Sequence, residues 1–511
     1  MVTLGQSNWE SLTSAKATVA LFIIIICTLI FQWHVSSTDG VLPGVDEAKY
    51  ITGAQALFHG EFDLTSQPGL TRVGWKRFGL TVPLALWGEF FGFDTLSLTC
   101  FSMLWVLLLV LFTYLIALEL AGERVAILTA FFVAFSPDVL LWGPKVNADI
   151  PYLAYLMIAL YYLFIALRTE RRGLILAAGG FLALAYLTKV FALIGLFFFA
   201  LLLLMQKRRF ILPWLFMLPM AALLLESLLY AWLTGDLGYR FYLSNEEFFA
   251  NAGIINVLSN MQERLWGYYF TYCLYPGPSY GIYYLFLFSI AAYALLQNFP
   301  YKQWLVLWIV GWVLFLNFAP AKLDPYIPLP AVDRYWSVFM PLLAVVSAYG
   351  LIERMKRRMA LVWIIAPLLL LPHLWGHLLL AEHRWQHSEG DLAKLSEEVR
   401  VILVNNENLY HRFKVYAQRV GYTGEIRFAP LDNKQLQKRA ADAVLRSAAI
   451  IDESSAAPNE EDYRRLQVGF KDEKPLFVSS FFNVGYYFSL SRMSWVARRD
   501  GWTLVIFSLP H

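Results

Sequence analysis

The 511 residues include only 41 Lys and Arg and 38 Asp and Glu, 15% charged in all, while 58% are hydrophobic and 17% aromatic. Soluble proteins carry about 25% charge, so these figures, with a mean hydropathy of +0.52, exclude a water-soluble globular enzyme, a disordered chain and a fibrous protein. What remains is a polytopic membrane protein with room for one soluble domain, and a net charge of +3 gives no reason to expect a nucleic-acid partner.

A bilayer core of about 30 Å needs about 20 mostly apolar residues per helix. Eleven such runs are expected, at 17–35, 95–120, 124–142, 150–168, 173–188, 190–206, 210–233, 280–297, 303–319, 336–352 and 359–380. The first is too long and too uniformly apolar for a signal peptide, and no A-x-A-like site follows it, so it reads as a signal anchor. Cys27 and Cys100 fall inside apolar runs and Cys273 is left over, so no disulfide framework is expected.

Lys and Arg in short loops set the direction of insertion. With the N-terminus cytoplasmic, the inner loops are AGER (121–124), RTERRG (168–173), QKRR (206–209), NFPYKQ (298–303) and ERMKRR (353–358). The outer loops then hold VDEAKY (45–50), GPKVNAD (143–149), a stretch near 235–279 and DPYIPLPAVDRY (324–335). The expected location is an inner or plasma membrane, with the C-terminus periplasmic or extracellular. From about residue 383 the composition turns polar, and the apolar runs VRVILVNN (399–406), EIRFAP (425–430), AAIIDES (448–454), PLFVSSFF (475–482) and WTLVIFSL (502–509) alternate with helix-like stretches such as 432–448. That alternation predicts a small α/β domain over 383–511, after a membrane domain over 1–382 whose outer loop spans 36–94. The domain has no glycine-rich phosphate loop.

Ionisable groups at membrane depth are costly and mark function by default. Asp46 and Glu47 follow the first run, Lys145 and Asp149 separate the third from the fourth, Lys189 interrupts AYLTKVFALIG (185–195), and Asp333, Arg334 and Tyr335 precede the tenth. All map to the outer side, so one outward cavity is expected. Each also has a plainer reading. Asp46 and Glu47 suit a solvated loop or a helix N-terminus, Asp149 before Ile150-Pro151 suits an N-cap, Lys189 suits snorkelling to the interface, and Arg334 suits an interfacial anchor. His373 and His377, like His383 and His387, have helical spacing but no evident third ligand, so no metal is expected.

Five stretches resemble the GT-C superfamily of membrane glycosyltransferases, in the branch of protein O-mannosyltransferases, lipid A aminoarabinose transferases and lipopolysaccharide-core galacturonosyltransferases. They are VDEAKYITGAQALFHGEFDL (45–64), RFGLTVPLALWGEFFGFD (77–94), PKVNADIPYLAYLMIALYYLF (144–164), FLALAYLTKVFALIGL (181–196) and DRYWSVFMPLLAVVSAYG (333–350). Two departures stand out. The family's Lys-Pro-Pro-like text is here Lys76-Arg77-Phe78-Gly79, and the proline after its Arg-Tyr waits until Pro341.

The resemblance implies a polyprenyl-phosphate-linked sugar as donor, inverting transfer on the outer face, and a glycolipid, glycan or protein as acceptor. It implies Asp46 as general base by match to the family's acidic pair, Glu47 as a neighbour orienting the acceptor, and Asp149 as a carboxylate that holds the donor sugar or tunes Asp46. It implies Lys189 and Arg334 on the donor phosphate, helped by Tyr335 and Lys145. No cofactor is implied, and a nucleotide-sugar donor is disfavoured because that pool is cytoplasmic. The rival class is a lipid or solute transporter, whose sites usually lie near the midplane of repeated halves; no repeat is visible here.

Overall fold

The computed structural model describes residues 14–38, 45–59, 77–239, 281–297, 299–322, 327–328, 333–355 and five strands after residue 400, with a few isolated positions between 361 and 368. The helices are α1 (Ala15–Thr38), α2 (Val45–Phe58), α3 (Phe78–Phe91), α4 (Thr95–Ala121), α5 (Glu123–Ala134), α6 (Pro137–Trp142), α7 (Asp149–Thr169), α8 (Arg172–Thr188), α9 (Ala192–Met205), α10 (Leu212–Thr234), α11 (Gly281–Leu295), α12 (Lys302–Phe318) and α13 (Met340–Arg354). Short 3-10 turns cover Arg209–Ile211 and Asp333–Val338.

Among the described residues, helix coincides with the first ten expected runs. Four segments, Ala15–Trp33, Thr95–Ala121, Asp149–Thr169 and Arg209–Thr234, are long and apolar enough to cross a membrane by length and composition. Most of the eleventh run and all four histidines of the two spaced pairs lie outside the described residues. The chain is an integral membrane protein with many apolar helices.

The third expected run is a correction. It breaks into α5 and α6 at Ser136-Pro137. Ser136 is extended (φ −66°, ψ 148°), its Oγ accepts the Val139 N–H at 3.4 Å, and Pro137 opens the new helix. Proline cannot supply the N–H that would continue a helix, but suits a first turn.

Helix α7 is the axis of the bundle. It packs against α4 on one side and α8 on the other, and α8 packs on α10. Tyr152, Leu153, Leu156, Met157, Leu160 and Leu163 on α7 are buried. Outward-facing Leu, Phe and Trp are the reverse of a soluble protein: Trp232, Phe90 and Leu225 are 81%, 77% and 67% exposed. Such surface is tolerated where lipid tails are the solvent.

The two ends of α7 differ. At its C-terminal end Arg168 pairs with Glu119 at 3.0 Å, Arg208 pairs with Glu170 at 2.6 Å, and Glu123 accepts from the Ser14 backbone at 2.5 Å. At its N-terminal end lie Asp149 and the groups around it. Asp149 and Arg168 are nineteen residues apart on one helix, or about 28 Å at 1.5 Å per residue, close to the hydrocarbon thickness.

In the C-terminal region β3 (Val401–Val404), β4 (Glu425–Phe428), β5 (Ser447–Asp452), β6 (Pro475–Ser489) and β7 (Ser494–Ser508) form a five-stranded sheet in the order β4-β3-β5-β7-β6. Strand β3 runs parallel to both neighbours, and β7 pairs antiparallel with β5 and β6. A second, two-stranded sheet pairs Pro320–Lys322 (β1) with Ile327–Pro328 (β2). The hairpin strands β6 and β7 are 15 residues each, longer than the runs at 475–482 and 502–509. Both grow toward their shared turn, through FNVGYYFS and SWVARRDG, where polar and aromatic residues interrupt the apolar run but not the extended backbone.

Candidate active site

The site is assembled from helix ends. Between α6 and α7 the chain reverses through Gly143-Pro144-Lys145-Val146-Asn147. Asn147 Oδ1 accepts the N–H groups of Asp149 at 2.9 Å and Ile150 at 3.2 Å, capping donors that a helix start leaves free. Its own amide donates to the Trp142 and Lys145 carbonyls. The plainer reading of Asp149, as an N-cap, is not what the helix start uses. Asn147 does that work, and the Asp149 carboxylate turns to another partner.

That partner is Lys189. Its ammonium forms a close ion pair with Asp149 Oδ1, and the two residues are 7% and 5% exposed. Lys189 ends α8 in extended backbone (φ −152°, ψ 127°), and its N–H closes the last helical turn on Ala185 at 2.8 Å. Snorkelling to the interface, the plainer reading of Lys189, is not seen, since the ammonium is held inward. Tyr335 lies over it, 4.3 Å from ammonium to ring centroid, and Phe191 is at 5.0 Å. The two rings meet edge to face at 5.3 Å. One cation is thus bounded by a carboxylate and two aromatic rings.

The first loop joins through Glu47, whose Oε1 accepts the Val146 N–H at 3.4 Å. Asp46 stands beside it in the first turn of α2, half-buried. Lys145 faces its own loop, 5.6 Å from the Trp142 ring. Asp333, Arg334 and Tyr335 share the 3-10 turn that packs on α6 and α7; the Arg334 side chain lies outside the described residues.

Four further polar residues belong to the site or its supports. Arg77, just before α3, donates from Nη1 to the Thr188 carbonyl at 3.1 Å and lies 5.6 Å from the Tyr50 ring centroid, which puts a guanidinium next to the residue preceding Lys189. Asn147 is the cap. Asp138 and Glu226 are buried carboxylates that accept the hydroxyls of Tyr284 and, at 2.6 Å, Tyr186. Lone acids within apolar runs are a usable signal, and both were present.

Helix α3 is held down on the site. A Cβ on Gly79 would collide with Thr188 Oγ1 and lie 2.5 Å from the Leu184 carbonyl. Tyr155 Oη donates to the Gly79 carbonyl at 3.3 Å. Among the described residues, no group of three or more His, Cys, Asp or Glu is placed to hold a metal ion.

Residues 83–232 match the family of dolichyl-phosphate-mannose-protein mannosyltransferases. The fold is similar to ArnT from Cupriavidus metallidurans. In its apo state the TM-score is 0.56 at 13% identity, and bound to undecaprenyl phosphate it is 0.55 at 12%, each over 96% of this chain and 98% of that one. It is also similar to the archaeal oligosaccharyltransferase AglB from Archaeoglobus fulgidus, in complex with an inhibitory peptide and a dolichol-phosphate, with a TM-score of 0.53 and 13% identity over 93% of this chain and 74% of that one. A comparison with curated proteins gives no match. The family match over residues 83–232 and the fold shared with these structures both agree with the GT-C resemblance carried by the loops.

Proposed function

We propose that the chain transfers a sugar, with inversion, from a polyprenyl-phosphate-linked donor to an acceptor at the membrane face bearing Asp149 and Lys189. The observation that carries this is the buried Asp149–Lys189 pair under Tyr335. It lies at helix termini, where a lipid's phosphate sits, and not at the midplane expected of a transport site. The basic loops put that face outside, with the N-terminus cytoplasmic and residues 383–511 forming a periplasmic or extracellular α/β domain.

As the glycosyl bond breaks, charge grows on the departing phosphate. Lys189, already desolvated, then shares its charge between Asp149 and the phosphate, and Arg77 and Arg334 supply further cations. Tyr335 and Phe191 keep water from the ammonium. Lys145 joins from the second loop. Asp46 takes the acceptor's proton, and Glu47, tied to the second loop, orients the acceptor. The relatives bound to undecaprenyl phosphate and a dolichol-phosphate support a lipid phosphate as the leaving group here.

The test supplies purified protein with a polyprenyl-phosphate sugar, a cell-envelope extract as the source of acceptor and no ion gradient, and follows release of polyprenyl phosphate. Release that Lys189→Ala abolishes is the expected result. No release from the parent, together with gradient-dependent lipid movement, would replace this reading with the transporter.

A further inference from the structure

Asp138 is a fully buried acid on α6, the short helix that feeds the Gly143–Asn147 reversal and then Asp149. A carboxylate there costs far more than a neutral side chain, so a compensating contact is required. Tyr284, near the start of α11, provides it: its hydroxyl forms a close hydrogen bond with Asp138 Oδ2.

The adjacent residue repairs the other side of the same break. In a continuous helix the Phe132 carbonyl would accept from the Ser136 N–H. Here the Ser136 N–H turns to Val133, at 3.2 Å, and the hydroxyl of Tyr283 donates to Phe132 O at 2.6 Å. Two successive tyrosines of α11 therefore hold the two ends of one helix break. Gln32 adds a third tie from α1, donating to the Val139 carbonyl at 3.1 Å. Beyond the break, α6 packs on the turn containing Tyr335, and Tyr284 lies 6.5 Å from the Phe339 ring just past that turn. One tyrosine thus touches α6, which leads into the Asp149 loop, and the residue just past the turn that carries Tyr335.

We propose that Asp138 is a positioning residue: through its hydrogen bond with Tyr284 it sets the tilt of α6, and so the register of the Lys145–Asp149 loop against Lys189. The role is one of geometry, not charge. The proposal rests on reading the Asp149–Lys189 site as a donor-phosphate site, and the test below separates the two.

Full-length protein in lipid nanodiscs is compared with Tyr284→Phe, Asp138→Asn, Asp138→Ala and the Tyr284→Phe/Asp138→Ala double variant. The probe is undecaprenyl phosphate alone, with the melting temperature of the lipid-phosphate-free protein measured alongside. Tyr284→Phe and Asp138→Ala should each weaken binding about tenfold, and the double variant no more than either, because both remove one hydrogen bond. Asp138→Asn keeps an oxygen for the Tyr284 hydroxyl and should bind within about twofold of the parent. Equal losses in the Asn and Ala variants would make charge the requirement and overturn the proposal. So would losses that multiply in the double variant, or that merely track the melting temperature.

A parent that fails to bind undecaprenyl phosphate would refute the donor reading instead. Loop geometry is then read directly, with Lys145→Cys in a background whose three native cysteines are replaced by Ser. Labelling by a membrane-impermeant maleimide should become several-fold faster when Tyr284→Phe is added. An unchanged rate would overturn the positioning role whatever the ligand.

Discussion

The Asp149–Lys189 pair gives the sharpest energetic prediction. Both residues are under 10% exposed, and the ammonium has aromatic faces at 4.3 and 5.0 Å. At an effective dielectric of about 20, opposite unit charges 4 Å apart attract by about 4 kcal/mol, and desolvation of the two ions opposes most of that gain. Net stability from the pair is therefore small, yet removing one partner is costly because the other stays buried and uncompensated, by about 3–5 kcal/mol. Asp149→Asn and Lys189→Met should each destabilise by about that much. The double variant Asp149→Asn/Lys189→Met, which leaves no buried charge of the pair, should cost less than either, apart from the cation–ring attraction of about 1–2 kcal/mol that goes with the ammonium.

The assay is reversible unfolding in mixed micelles by titration with a denaturing detergent, read by tryptophan fluorescence. The expected coupling energy is about 3 kcal/mol or more and favours the double variant. Activity runs the other way: all three variants should be inactive in polyprenyl-phosphate release, because the double variant restores packing without restoring a cation for the phosphate. Single losses that simply add in the double variant would refute the pair as a buried, mutually compensating unit. An active double variant would refute Lys189 as a phosphate ligand.

Asp46→Asn should lower turnover by about 10²–10⁴ while donor binding stays within about twofold, as expected for loss of a general base; full activity there, with Glu47→Gln or Asp149→Asn inactive, would transfer the role to the other carboxylate. Arg334→Ala should weaken both undecaprenyl-phosphate binding and rate, with Arg334→Lys recovering only part, because a guanidinium holds two phosphate oxygens in a fork and an ammonium does not; unchanged binding would remove Arg334 from the donor site. Gly79→Ala should destabilise by about 1–3 kcal/mol and lower donor binding with it, since the added methyl meets backbone at Leu184 and not a flexible side chain; a neutral effect on both would show that α3 shifts without consequence for Lys189.

What the sequence made legible follows from which forces are local. Long apolar runs are written residue by residue, so helices fall where hydropathy puts them, and the sheet runs at 399–406 and 425–430 contain β3 and β4 while that at 448–454 overlaps β5. The cost of a charge in lipid is equally local, which is why Asp149 and Lys189 stood out singly. Their union did not. Which carboxylate meets which ammonium depends on α7 and α8 packing side by side, forty positions apart in the chain, and nothing near either residue encodes that. The choice of cap is nonlocal for a related reason. Asn147 and Asp149 both suit an N-cap, and the choice fell to Asn147 because Asp149 gains more from a buried cation than from two peptide N–H groups. The break at Ser136-Pro137-Asp138 had a written signal, a capping serine and a first-turn proline, but a run of apolar residues on both sides concealed it. Tyr283 and Tyr284 explain how such a break survives at membrane depth: the carbonyl and carboxylate it exposes are each met by a hydroxyl from one distant helix. A broken helix in lipid thus needs partners that its own segment cannot provide, and they are found only when the fold is in hand.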